Sequence, residues 1–255
     1  MTIYNEAENL AEATRKKLGL GNAPIKDIFS LLESQGIFVV ISPIDSSSEL
    51  SGAFYYDSET DQSNILINSN RSNGHQRFTA AHEFCHHLLD RKTQPVIVEK
   101  DSNKSNLEKR ANSFAANFLM PSDGISYYIQ NVLKTTSKKL SDENLAKLRE
   151  EFGVSWSALL YRLSSLNYVF DCSTEEMVRR TPLLNSWAVR LGYDQEQTKR
   201  DGEFKLSSDY TKLAFDEYFN ENISLEKLSE FLRKDFESTK DITTDIRRAK
   251  DEKSC

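Results

Sequence analysis

Apolar positions recur along this chain in two periods, and the switches between them outline its elements. Near the start, Ala7, Leu10, Ala11 and Leu18 punctuate a charged stretch at helical spacing, ending at Gly19. Pro24 then stands where a first helical position is expected, with Ile25, Ile28, Leu31 and Leu32 on one face and Gly36 as the stop. The β-branched run Ile37 to Ile41 reads as a buried strand. Gly52 to Tyr56 and Asn64 to Asn68 follow as two more, joined through the polar stretch Asp57 to Ser63. The spacing predicts two short helices and then a small antiparallel sheet.

From Gly74 the helical period returns, with Phe78, Ala81, Cys85, Leu88 and Leu89 as its apolar stripe. Residues 93–104 have no clear period and read as a surface loop. Glu108 to Met120 is again helical, its apolar set being Ala111, Phe114, Ala115, Phe118 and Leu119, and Pro121 stops it. Asp142 to Phe152 and Trp156 to Leu166 predict two helices around Gly153-Val154-Ser155, a helix-turn-helix outline with Ser155 as N-cap. Residues 170–205 are mixed. Ser207 to Asn220 and Ser224 to Arg233 read as a further helix pair, and Glu237 to Cys255 as a charged, frayed tail.

Composition adds limits. In 255 residues there is no apolar run long enough for a membrane span, and the first twenty residues lack the apolar stretch of a secretory signal. A cytoplasmic location is expected. Cys85, Cys172 and Cys255 are odd in number and far apart, which fits reduced thiols rather than a disulfide framework. The net charge of −6 runs against broad phosphate binding.

The chemistry concentrates in His82-Glu83-Phe84-Cys85-His86, an H-E-x-x-H sequence on a predicted helix. Side chains at i and i+4 lie roughly 5–6 Å apart at Cβ, close enough for two imidazoles to share one zinc ion. Glu83 is turned about 100° from His82, so it need not ligate and is placed to act as general base on an attacking water. The competing reading is an ordinary amphipathic helix with solvated or core histidines, which burial of several unpartnered imidazoles would make costly.

A catalytic zinc takes a third protein ligand. His87 is turned away from His86, and His75 lies two turns before His82. Glu108, at the start of the next helix, is the favoured third ligand, with Asn112 one turn later as a hydrogen-bond acceptor for a ligating imidazole. A first-turn carboxylate serving only the helix dipole is the alternative for Glu108; Asp90 and Asp101 are the fallback ligands.

At these residues the chain resembles the ImmA/IrrE family of metallopeptidases. The likeness runs through Pro24-Ile25, Gly36-Ile37, Ile65-Leu66-Ile67-Asn68, Gln76-Arg77-Phe78-Thr79, His82-Glu83-x-x-His86, Glu108-x-x-Ala111-Asn112-x-Phe114-Ala115 and Leu119-Met120-Pro121. It continues more weakly through Phe152 to Ser155, Arg162-Leu163 and Ile223 to Leu225. The main likeness covers about residues 7–121. Together with the apolar periods it predicts an α+β fold: a zincin-like domain over residues 1–135 and a mainly helical region over 136–255 with the helix-turn-helix-like segment at 142–166. It further implies a gluzincin-like zinc site of His82, His86 and Glu108 with Glu83 catalytic, and a protein substrate, a helix-turn-helix repressor. Cys85 stands where the family commonly has Gly; it reads either as a small apolar helix residue or as a competing, oxidisable thiol.

The helix-turn-helix outline carries few cations, Lys147, Arg149 and Arg162, beside Asp142, Glu143, Glu150 and Glu151. That is too little to neutralise several phosphates, so packing or substrate docking is expected there rather than DNA readout. Tyr127 and Tyr128 remain without an assigned role. Two functions stand against each other: a zinc endopeptidase that cuts a repressor, and a non-catalytic regulator with a structural or vestigial zinc site.

Overall fold

A computed structural model describes residues 3–45, 48–94, 96–100, 105–193, 196–200 and 202–252. The chain divides into two compact units, Met1–Lys205 and Leu206–Cys255.

The first unit is mixed α and β. Helix α1 (Ile3–Lys17) and the short α2 (Ile28–Glu33) lead into strands β1 (Ile37–Ser42), β2 (Leu50–Asp57) and β3 (Gln62–Asn68). The Asp27 carboxylate caps α2 by accepting from the backbone N–H groups of Phe29 and Ser30. Helix α3 (Asn73–Leu89), strand β4 (Val96–Lys100) and helix α4 (Asn106–Leu119) follow. After α5 (Ser122–Tyr127) come α6 (Asp142–Phe152), α7 (Trp156–Ser165), α8 (Thr174–Arg179) and α9 (Thr181–Arg190). Helices α1, α3, α4, α6 and α7 and the three early strands thus stand close to where the apolar periods put them, and α6 has the predicted limits. Helix α2 begins at Ile28 behind its cap Asp27 rather than at Pro24, and α8 and α9 fall in the stretch 170–205 that gave no clear period.

Three further features differ from expectation. The sheet has the order β4-β2-β3-β1-β5, with the two-residue β5 (Lys205–Leu206) at its end. It is mixed rather than antiparallel: β2 runs antiparallel to β3 and β4, but β1 pairs in parallel with β3. The whole of β2 intervenes between β1 and β3 in the chain, which supplies the crossover that a parallel pair requires. The stretch 93–104, expected as a loop, contains β4, because Val96-Ile97-Val98 is a β-branched run that an edge position accommodates. The tail expected to fray instead forms helix α12 (Phe236–Glu252). Its Thr239 and Thr243 are buried, so short polar side chains carry a packed face that an apolar count overlooks.

Helix α3 lies at the centre. Its residues from Thr79 to His86 are all buried, on every face. A helix covered all round is expected to be apolar; this one carries two imidazoles and a carboxylate into the core. It packs against β2, β3 and α4. Two glycines permit the close approaches. A Cβ on Gly52 of β2 would lie 2.3 Å from Thr79 Cγ2, and one on Gly74 would lie 2.6 Å from the Ser155 nitrogen in the turn between α6 and α7. The α6–α7 pair is therefore built onto the start of α3. Its cations are withdrawn from the surface or paired: Arg149 and Arg162 are 1% and 6% exposed, and Lys147 pairs with Glu143 at 2.7 Å.

The second unit holds α10 (Ser208–Phe219), α11 (Leu225–Leu232) and α12, around a small core of Ala214, Leu228 and Leu232. Ser207 and Ser224 cap α10 and α11, matching the predicted helix pair. Among the described residues no helix is long and apolar enough to cross a membrane.

Candidate metal centre

His82 and His86 leave α3 on the side facing α4, one turn apart, with their Nε2 atoms 3.2 Å apart. Glu108, in the first turn of α4, brings its Oε2 to 2.9 Å from His82 Nε2 and its Oε1 to 3.9 Å from His86 Nε2. All three residues are buried, and their nearest donor atoms fall within 4.8 Å of one another. This is the one such metal-ligating group among the described residues.

The outer edges of the rings decide what the inner edges can do. His86 Nδ1 lies 2.8 Å from Asp90 Oδ2, and Arg110 donates to Asp90 Oδ1 at 2.6 Å. Burial pushes the Asp90 carboxyl up, but hydrogen bonds from His86 and Arg110, with the charge of Arg110, outweigh it and hold it below the usual carboxylate range. An ionised carboxylate only accepts, so His86 Nδ1 carries the proton. Likewise His82 Nδ1 lies 2.9 Å from Asn112 Oδ1, an acceptor. With both Nδ1 positions donating, both Nε2 positions present lone pairs to the same point. Glu108 adds a carboxylate at that point.

Three buried acceptors converging without a shared proton are mutually repulsive unless a cation sits between them. Two imidazoles and one carboxylate are a borderline donor set that suits zinc. The residues present therefore fit a zinc ion, with Asp90 and Asn112 fixing the ring orientations from behind.

The remaining sequence candidates separate cleanly. Glu83 is fully buried and lies outside the converging group; its Oε1 faces β2, 3.0 Å from where a Gly52 Cβ would stand. Asp90, a fallback ligand by sequence, sits on the far edge of the His86 ring. Asp101, the other fallback, lies outside the described residues. His87 is turned away and bonds Ser63 Oγ at 2.8 Å; burial, then the charge of Arg91, lowers it to about 4, so it is a neutral, half-buried residue. His75 lies 3.0 Å from Ser51 Oγ. Burial pushes the Cys85 thiol up to about 12, which leaves it a small apolar residue and not a reactive thiolate. Tyr127 and Tyr128 border a separate cavity with Pro24 and Phe152.

Sequence reasoning missed the roles of Asp90, Arg110 and Gly52. The first was within reach, since Asp90 follows His86 at the same four-residue spacing that relates His82 to His86.

Residues 32–164, just over half of the chain, match the model of the Peptidase_M78 family, described as the IrrE N-terminal-like domain. The matched span contains α3, α4 and the whole His-His-Glu group. Comparison with curated proteins gives no match.

Proposed function

The chain belongs to the Peptidase_M78 family of IrrE N-terminal-like domains, and on that premise we propose that it is a zinc-dependent endopeptidase whose substrate is a helix-turn-helix repressor. Family membership supports a metallopeptidase-type activity, and the repressor is the substrate class implied by the resemblance. The observation that carries the reading is the tautomer lock. Asp90 and Asn112 hold the Nδ1 protons of His86 and His82, and so turn two lone pairs and the Glu108 carboxylate onto one buried point.

His82, His86 and Glu108 would hold the ion. Bound there, zinc supplies Lewis acidity, which lowers the pKa of water towards about 7 and polarises a carbonyl. The chain's own residues do the rest. Glu83 accepts a proton from the attacking water and passes it to the leaving amide nitrogen as the C–N bond breaks, so one water is consumed per bond cut. Burial of the group excludes bulk water from these charges and strengthens them.

Direct DNA readout by α6 and α7 is opposed by the burial of Arg149 and Arg162, which removes the cations a duplex would need. The test is to incubate zinc-loaded wild type and Glu83→Gln with purified helix-turn-helix repressors of the same genome, reading intact masses and bound zinc. Wild type is expected to give two fragments whose masses add up to the repressor plus one water. Glu83→Gln should retain its zinc and cut at least about 100-fold more slowly. Equal cutting by the variant, or none by wild type, overturns the reading.

A further inference from the structure

The cavity bordered by Glu108 and Asn112 extends well beyond the metal centre. It encloses about 630 Å³ and runs along α4 past Ser113 and Asn117 to Tyr161 and Arg162 of α7. Most of its lining is polar or aromatic, but Arg162 is different in kind. It is a guanidinium that is 94% buried by its 6% exposure. Its Nε donates to the Met120 carbonyl at 3.0 Å, while Nη2 is buried with no acceptor among the described residues. No carboxylate among those residues comes within ion-pair distance; Glu8 acts on it only through space.

An arginine stays charged even when burial disfavours it, and a buried charge without a partner is costly. A guanidinium on a cavity wall attracts a carboxylate through its charge and its N–H donors. The distance matters too. Met120, which holds Arg162, is three and a third turns of α4 beyond Glu108, roughly 18 Å. An extended peptide covers that in about five residues.

We propose that this cavity holds a carboxylate subsite, in which Arg162 receives an acidic side chain of the peptide substrate about five residues from the bond that is cut. The substrate's place in the cavity rests on the peptidase reading; the affinity of the pocket for a carboxylate does not. A peptide's C-terminal carboxylate has the same chemistry, so the experiment separates the two.

Fluorescein-labelled decapeptides of Ala, Gly and Ser serve as probes. One set carries a single Glu at each position in turn, one carries Gln instead, and one has neither but ends in a free carboxyl; the first two are amidated. Binding is read by anisotropy on zinc-loaded Glu83→Gln protein, which leaves the peptides uncut. Glu peptides should bind about tenfold more tightly than their Gln partners. Adding Arg162→Gln should shrink that ratio below about twofold, and Arg162→Lys should keep part of it.

Equal binding of Glu and Gln peptides overturns the proposal, and that comparison needs no change at Arg162, so it decides even where Arg162→Gln does not fold. A preference that survives Arg162→Gln also overturns it, as does tight binding confined to the free-carboxyl peptides. Hydrolysis by zinc-loaded wild type is measured separately. A Glu preference without hydrolysis keeps the subsite and rejects the peptidase, and hydrolysis without the preference does the reverse.

Discussion

Glu108 Oε2 and His82 Nε2 meet at 2.9 Å, and that contact takes the carboxylate away from the place its local sequence offers. Ser105-Asn106-Leu107-Glu108 has the S-x-x-E spacing of a capping box, and Ser105 Oγ does accept from the Glu108 backbone N–H. The reciprocal half would turn the Glu108 side chain back to Ser105. Here it crosses to the histidines of α3, leaving the cap half built.

Glu108→Ala is therefore expected to remove metal while barely loosening α4. Elemental analysis of protein purified without added zinc should fall from about one equivalent to a small fraction. Zinc added at about 100 times its dissociation constant should stabilise wild type by roughly 2.7 kcal/mol and leave the variant's melting point almost unmoved. Full zinc occupancy in Glu108→Ala would show that the third ligand is another residue.

The His86–Asp90–Arg110 chain predicts an effect at one remove. Asp90→Ala frees the Nδ1 proton of His86 and leaves Arg110 facing a vacancy. Zinc affinity should drop by roughly 10–100-fold, and stability without metal by about 2 kcal/mol. Asn112→Ala, which loses a single neutral hydrogen bond, should cost less on both counts. Competition with a chromophoric chelator ranks the two; a larger loss in Asn112→Ala would mean that Asp90 does not set the tautomer.

How much of this was legible depends on how far the residues are apart in sequence. The apolar periods located most of the longer helices and the first three strands because each is a local pattern, whereas α8, α9 and α12 carry too weak an apolar stripe to show. H-E-x-x-H exposed His82, Glu83 and His86 for the same reason. Glu108 and Asn112 followed from a second helix with an inward face. Asp90 was taken for a possible ligand since sequence cannot tell which edge of an imidazole a carboxylate meets. The parallel β1–β3 pair and the Gly52 contact depend on elements far apart in the chain, and no period records them. Strand β4 was hidden because five residues are too few to establish an alternation.

Cys85 carries a prediction about reactivity. With its thiol raised to about 12 by burial, the thiolate fraction at pH 8 is on the order of one in 10⁴. Iodoacetamide should label Cys172, which is only partly buried, and spare Cys85 until the chain is unfolded. Peptide mapping by mass spectrometry distinguishes the two sites. Cys85→Ala should keep zinc within about twofold of wild type and cost roughly 1 kcal/mol in packing. Rapid labelling of Cys85 in the native protein would restore the thiol as a competing ligand or redox group.

Gly52 links the sheet to the general base, and a single methyl group tests the link. An alanine Cβ there would stand 2.3 Å from Thr79 Cγ2, 3.0 Å from Glu83 Oε1 and 3.1 Å from the Leu66 carbonyl oxygen. The carbonyl belongs to the β2–β3 ladder and cannot yield, and a threonine in a helix has little χ1 freedom, so α3 or the Glu83 side chain must move. Gly52→Ala should cost about 1–3 kcal/mol and lower turnover with zinc retained. Adding Thr79→Ala removes the closest clash and should return part of the stability, with a coupling of at least about 0.5 kcal/mol. Turnover should recover less, because the contact with Glu83 remains. Strictly additive stabilities would place the strain elsewhere, and full recovery of turnover in the double variant would mean that Gly52 serves only the packing of α3, not the position of its carboxylate.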